Sequence, residues 1–193
     1  VLDNAPYNAR RILVGSAYTP ESFDAWVHEA AAEPVPGALA FTRTADSLGI
    51  DVFYVTNRDH DLEASTRRNL LELGFPLDTT SDHLLTDGER EGWTSDKTSR
   101  RAWVARDHRI LVLLGDDLND FVDARGSTAK YRRALEAHRG RFGRSWFMLP
   151  NPTYGSWESA ATGFGSGLSP GEIVRRKPRS LETARGSDGD GGR

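Results

Sequence analysis

The chain has 193 residues, with 25 Lys and Arg against 28 Asp and Glu for a formal charge of −3, which suits one domain with a sizeable core. The charges are interspersed, so no basic stripe points to nucleic acid and no acidic block to a solvating arm. Cysteine is absent, which excludes disulfides and thiolate zinc sites, and no apolar run approaches the roughly 20 residues needed to cross a bilayer as a helix.

The chain opens on Val1-Leu2-Asp3 without an initiator methionine. It is therefore expected to be cut rather than begun here, and the lack of a targeting segment carries no weight. Up to about Tyr18 the mixed sequence, punctuated by Asn4, Pro6 and Asn8, is expected to be irregular. Thr19-Pro20-Glu21-Ser22 has the form of a helix start, with Thr19 as cap and Pro20 at the first helical position. That helix should run through Trp26 to about Ala32. Pro34, Pro36 and Gly37 end it, and a second helix from Ala38 toward Leu48 shows one apolar face. Gly49 closes it, and Ile50 to Val55, rich in β-branched and aromatic residues, is predicted as a strand ending at Thr56-Asn57-Arg58. Leu62 to Leu73 is predicted helical, with Gly74 and Pro76 as stops.

Between Thr79 and Thr94 the sequence is polar, with Leu84 and Leu85 hinting at a short strand that the pattern leaves open. Lys97 begins a short helix through Arg101 and Val104. From Arg109 an apolar run reaches Leu114 and breaks into Gly115, Asp116, Asp117 and Asp120. Such a run suits a parallel strand buried on both faces, with ligands beyond its carboxyl end. The three aspartates are expected to face that crevice, where their repulsion would be relieved by a hard divalent ion such as Mg²⁺. Capping of a helix start explains the same acids equally well. A helix from Tyr131 to His138, a last strand from Trp146 to Leu149 and a helix from Ser169 to about Lys177 complete the pattern. From Gly186 only glycine, serine, aspartate and arginine remain, so residues 179–193 are expected to be a disordered tail. His28, His60, His83, His108 and His138 show no metal-ligand spacing and are expected at the surface.

Thr56, Lys97 and the Asp116–Asp120 pair fall at successive strand ends, and together they suit a phosphoryl group. A hydroxyl and an ammonium can hold its oxygens while a cation on the carboxylates offsets developing charge. The chain resembles the class C acid phosphatases, 5′-nucleotidase-like members of subfamily IIIB of the haloacid dehalogenase (HAD) superfamily. The resemblance rests on Val1 to Tyr7, Val35 to Ala38, Val55 to Arg58, Asp96 to Arg100, Gly115 to Phe121, Phe142 to Arg144, Met148 to Asn151 and Tyr154 to Glu158.

The resemblance implies an α/β, Rossmann-like fold over residues 1–178, with a parallel central sheet and a small helical cap at about residues 19–48. It implies a Mg²⁺-dependent phosphomonoesterase acting on nucleoside 5′-monophosphates, with Thr56 on the phosphate and Lys97 steadying nucleophile and phosphate. Asp116 would ligate Mg²⁺ with Asp117 or Asp120 in support, and Asn4, Tyr7, Phe23 and Tyr154 would line the nucleotide pocket. A secreted or envelope location is implied, and a homodimer is left open. The family's Asp-x-Asp-x-Thr signature, which carries the aspartate nucleophile, is absent from the 193 residues. Leu2-Asp3-Asn4 normally follows it directly, so the nucleophile and the first strand are expected upstream and the chain alone is expected to be inactive. A non-catalytic nucleotide-binding pseudo-phosphatase and a decayed gene fragment are the alternatives.

Overall fold

A computed structural model describes residues 1–16, 18–151, 155, 156 and 172. Helix α1 (Ala5–Leu13) is followed by α2 (Pro20–Glu29) and α3 (Ala38–Ser47). Strand β1 (Tyr54–Asp59) leads through a 3-10 turn to α4 (Glu63–Glu72) and β2 (Leu84–Asp87). Next come α5 (Thr98–Asp107), β3 (Leu113–Gly115), a 3-10 turn at Leu118–Asp120, α6 (Thr128–His138) and β4 (Trp146–Met148). The expected segments after Asn151, including the helix near Ser169, the residues around Tyr154 and the tail, lie outside the described residues apart from isolated positions.

The α2 start follows the sequence closely. The Thr19 hydroxyl accepts the Ser22 amide at 3.2 Å and Ser22 closes a reciprocal capping box, with Pro20 at the first helical position. Strand β2 is the hub of the core because successive side chains of a strand point to opposite faces. Leu84 packs with Tyr54, Leu70 and Phe75, whereas Leu85 packs with Trp93 and Val104. Helices α3 and α4 thus lie over one face and α5 over the other, which is the doubly wound α/β arrangement. Tyr7, Trp26, Val27, Ala32 and Leu62 form a third cluster, joined to the Leu84 cluster by Leu2.

The sheet is in two parts. Strands β1 and β2 pair in parallel through Tyr54↔Leu84 and Val55↔Leu85. Strands β3 and β4 pair in parallel through Leu113↔Trp146 and Gly115↔Met148. Among the described residues no strand joins one pair to the other. This corrects the expected burial of the run from Arg109 to Leu114, for only its last two residues enter β3. Ile110, Leu111, Val112 and Leu114 are each about two-fifths exposed (38%, 42%, 38% and 41%), because β3 has a strand neighbour on one edge alone.

Three further expectations are corrected. The first 18 residues hold α1, because Tyr7 is buried against Trp26 and Arg10 pairs with Glu29 at 2.7 Å. Packing on α2 therefore overrides the local punctuation. The strand predicted from Ile50 starts only at Tyr54 and runs through Arg58, since its partner Leu84 sets the register. His83 is buried, stacked on Phe53 at 4.1 Å and bonded to the Val52 carbonyl.

The contrast between the two half-sheets is measurable. Leu85→Ala should cost about 2–5 kcal/mol as a fully buried truncation, whereas Leu114→Ala at the exposed edge should cost less than about 1 kcal/mol. Urea-unfolding midpoints of the two variants check this ordering.

Candidate active site

The site gathers around β1, the carboxyl end of β3 and the first turn of α5; Thr56, expected at a strand end, lies within β1, which runs on to Asp59. Thr56 sits in β1, Lys97 is the residue preceding α5, and Asp116, Asp117 and Asp120 follow β3. The Lys97 ammonium donates to Asp120 Oδ1 at 2.6 Å, and both side chains are about one-seventh exposed (16% and 14%). The other Asp120 oxygen accepts the backbone N–H groups of Asp116 and Asp117, each at 3.0 Å. Asp120 therefore holds both the lysine and the turn that carries Asp116.

Gly115 is required by this close approach. A Cβ placed there would lie 2.4 Å from both the Cβ and Oδ2 of Asp120, well inside van der Waals contact. Asp117 turns to the 3-10 segment it caps, accepting the Asn119 amide at 2.9 Å and side chain at 2.8 Å. The Ser156 hydroxyl donates to it at 2.7 Å, and the Ser156 amide also donates to it. Asp116 accepts the Asn151 side chain at 2.5 Å through Oδ2. Its Oδ1 has no hydrogen-bond partner among the described residues.

The three aspartates therefore do not converge as one ligand set. The acidic loop relieves its repulsion by dividing the acids between two capping roles, a lysine and an asparagine, leaving Asp116 with a spare oxygen. Capping and site chemistry, opposed in the sequence, are here divided among neighbouring residues.

Thr56 and the amino-terminal residues complete the floor. Thr56 Oγ1 accepts the Arg58 amide at 3.1 Å, which leaves the hydroxyl proton available to an acceptor. Two residues on, the buried Arg58 donates to Thr66 at 3.0 Å and to Asn4 Oδ1 at 3.3 Å. Trp26 Nε1 donates to the same Asn4 oxygen at 3.3 Å. Phe23 is half-buried, edge-on to Tyr7 at 5.3 Å, with the Arg58 guanidinium 5.9 Å from its ring. Tyr7 is itself buried, its hydroxyl bonded to Ser22 at 2.7 Å.

Arg58, Asn151 and Ser156, which the sequence did not single out, bond to the candidate residues Asn4, Asp116 and Asp117. Their signal was present only as positions inside the quoted motifs. Away from this site, His60, Glu63 and Glu89 bring ligand atoms within 4.8 Å of one another. Those carboxylates are already engaged, Glu63 by Arg67 at 2.7 Å and Glu89 by the Thr86 amide at 3.0 Å.

Burial alone would raise the Asp117 carboxyl, but the Ser156 hydroxyl and the Asn119 and Ser156 amides outweigh it and hold its pKa below the usual value. A carboxylate depressed in the folded state contributes stability above its unfolded pKa of about 3.9 and loses it as pH falls through the folded value. Between neutral pH and about pH 3 the parent should therefore lose more stability than Asp117→Asn, as denaturant midpoints taken across that range would show.

With this geometry in place, the relatives can be set beside it. A family model described as HAD superfamily, subfamily IIIB (Acid phosphatase), matches residues 1–157. The class C acid phosphatase from Bacillus anthracis is 31% identical with a TM-score of 0.83, over 95% of this chain and 76% of that one. A crystal structure of the class C acid phosphatase from the same organism with tungstate bound is 30% identical, with the same TM-score and coverage. No described helix is long and apolar enough to cross a membrane. The chain therefore belongs to the acid phosphatases of HAD subfamily IIIB, a family of phosphoric monoester hydrolases.

Proposed function

We propose that this chain carries the phosphate- and cation-binding half of a Mg²⁺-dependent acid phosphatase acting on nucleoside 5′-monophosphates. The observation that carries the reading is the division of labour around Lys97. One ammonium proton goes to Asp120, so two remain for phosphate oxygens. The Thr56 hydroxyl, accepting from Arg58 and free to donate, supplies a further hydrogen bond from β1. Tungstate, held by the similar Bacillus anthracis enzyme, is an oxyanion of the kind these donors suit.

The residues present fit a hard divalent cation. Asp116 Oδ1 is uncommitted among the described residues, and hard cations take carboxylate oxygens. Asp117 and Asp120 support it by fixing the turn rather than by offering oxygens of their own. When bound, the cation would neutralise charge on the phosphoryl oxygens.

The covalent step follows the family pattern. An aspartate carboxylate attacks phosphorus, the ester oxygen leaves with a proton from a second aspartate, and water then cleaves the aspartyl-phosphate to release inorganic phosphate. The nucleophile must be supplied from outside these 193 residues, which contain no Asp-x-Asp-x-Thr. Of the cap expected at residues 19–48, the part before α3 serves as the cap, since α3 lies on the sheet, with Phe23, Asn4 and Tyr7 on the base side together with Tyr154, which lies outside the described residues. A secreted or envelope location and a homodimer accompany this reading by resemblance alone.

The 193-residue chain should release no phosphate above background. In a form carrying Asp-x-Asp-x-Thr ahead of Val1, Asp116→Ala should lower Mg²⁺-dependent phosphate release about a hundredfold or more, and Lys97→Ala about 10²–10³-fold. Undiminished Mg²⁺-dependent release by Asp116→Ala would sink the assignment. In the same form, Phe23→Ala should raise KM for a nucleoside monophosphate about tenfold, as loss of one stacking ring does, while leaving a small alkyl phosphate unaffected. Equal effects on both substrates would remove Phe23 from the base pocket.

A further inference from the structure

Arg100 is the most completely buried charged side chain in the described chain, with 0% of its surface exposed. No carboxylate lies in contact with it. Instead its guanidinium donates to the Thr56 carbonyl, to Asn57 Oδ1 at 2.6 Å, to the Thr94 carbonyl at 2.5 Å and to the Leu85 carbonyl at 3.5 Å. These acceptors come from β1, from β2 and from the loop that leads to Lys97. Asn57 closes the same circuit by donating to the Ser95 carbonyl at 3.0 Å.

A buried cation bound only by neutral oxygens is a costly way to hold a fold, since an apolar side chain of similar volume would avoid the desolvation. What an apolar side chain could not do is fix four oxygens from three segments by directional hydrogen bonds. The fork geometry of guanidinium does this, and a lysine ammonium, a point donor on a flexible stem, does not. Arg101, the next residue, extends the arrangement by donating to the Asp120 carbonyl at 2.9 Å. Adjacent arginines in α5 thus tie it to β1 at Thr56 and Asn57 on one side and to the Asp116–Asp120 turn on the other, where no strand joins the two half-sheets among the described residues.

We infer that Arg100 is a positioning residue for oxyanion binding, holding the Thr56 hydroxyl and the Lys97 ammonium at the spacing that lets both reach one phosphoryl group. This rests on the phosphate-binding roles proposed above for Thr56 and Lys97. Arg100 itself does not touch substrate. It acts through the backbone of Thr56 and through the Asn57 and Thr94 links that set where Lys97 begins its helix.

The test is tungstate titration calorimetry on the 193-residue chain, with thermal unfolding measured in parallel. Arg100→Lys should bind tungstate at least about tenfold more weakly than the parent, the scale expected when hydrogen bonds to a charged group are lost. Leu70→Ala, a core truncation on the other side of β1, supplies the control. It should lower the unfolding temperature and keep the parent affinity, so that lost stability alone is separated from lost positioning. Asn57→Ala cuts the same link from the opposite partner and should weaken tungstate in the same direction, so the inference can be judged even if Arg100→Lys does not fold. Parent-like affinity in either folded variant overturns the inference. An affinity loss in Leu70→Ala as large as in Arg100→Lys overturns it as well. Failure of the parent to bind tungstate, or parent-like binding by Lys97→Ala, would instead bring down the phosphate-binding roles on which it rests.

Discussion

The ion pair between Lys97 and Asp120, at 2.6 Å and largely shielded from water, is the constraint on which the site depends. It joins the start of α5 to the turn after β3, two segments with no ladder between them. Asp120 can serve because its second oxygen is occupied by the amides of Asp116 and Asp117, so moving the lysine also moves the backbone beneath Asp116. Removing one partner of a shielded pair leaves the other charge uncompensated, a loss of about 3–5 kcal/mol in buried cases. Stability and site geometry are therefore coupled through one contact, and the approach that permits it demands glycine at position 115.

The hydrophobic organisation explains why this contact carries so much. Leu84 and Leu85 send the core to both faces of the β1–β2 pair, and that half is covered by α3, α4 and α5. The β3–β4 half has shorter strands and its apolar run is partly open. With fewer buried methylenes to fix its position, it is anchored by directional polar contacts, Lys97 to Asp120 and Arg101 to the Asp120 carbonyl. Packing is non-directional whereas hydrogen bonds fix orientation, so the site lies where orientation has the larger share.

Much of this was legible in the sequence because it depends on local chemistry. The Thr19 to Ser22 helix start, the Gly74 stop and the order of threonine, lysine and aspartates all follow from residue type and spacing. Less legible was anything decided by a distant partner. Helix α1 forms where Asn4 and Pro6 argue for a loop, because Tyr7 and Arg10 find Trp26 and Glu29. Strand β1 begins at Tyr54 rather than Ile50 because β2 fixes its register. The burial expected of Ile110 to Leu114 presupposed a neighbour on each edge, and the described structure supplies one. Spacing could also not divide the aspartates, since whether an acid caps a turn or faces a ligand depends on contacts with Asn151 and Ser156 more than thirty residues away.

That division bears directly on the chemistry. Lys97 is neutralised by Asp120, and the field near the turn is still set by Asp116 and by Asp117, whose pKa is held low. A phosphate monoester dianion approaching Thr56 and Lys97 would be drawn by Lys97 and Arg101 and opposed by the carboxylates of Asp116 and Asp117. A divalent cation on the spare oxygen of Asp116 reverses the sign, so the carboxylate that would repel the substrate becomes the means of holding it. Under the proposed roles the same residues would serve both oxyanion binding and its strengthening by a cation, on a turn whose acids are already held by caps, a lysine and an asparagine.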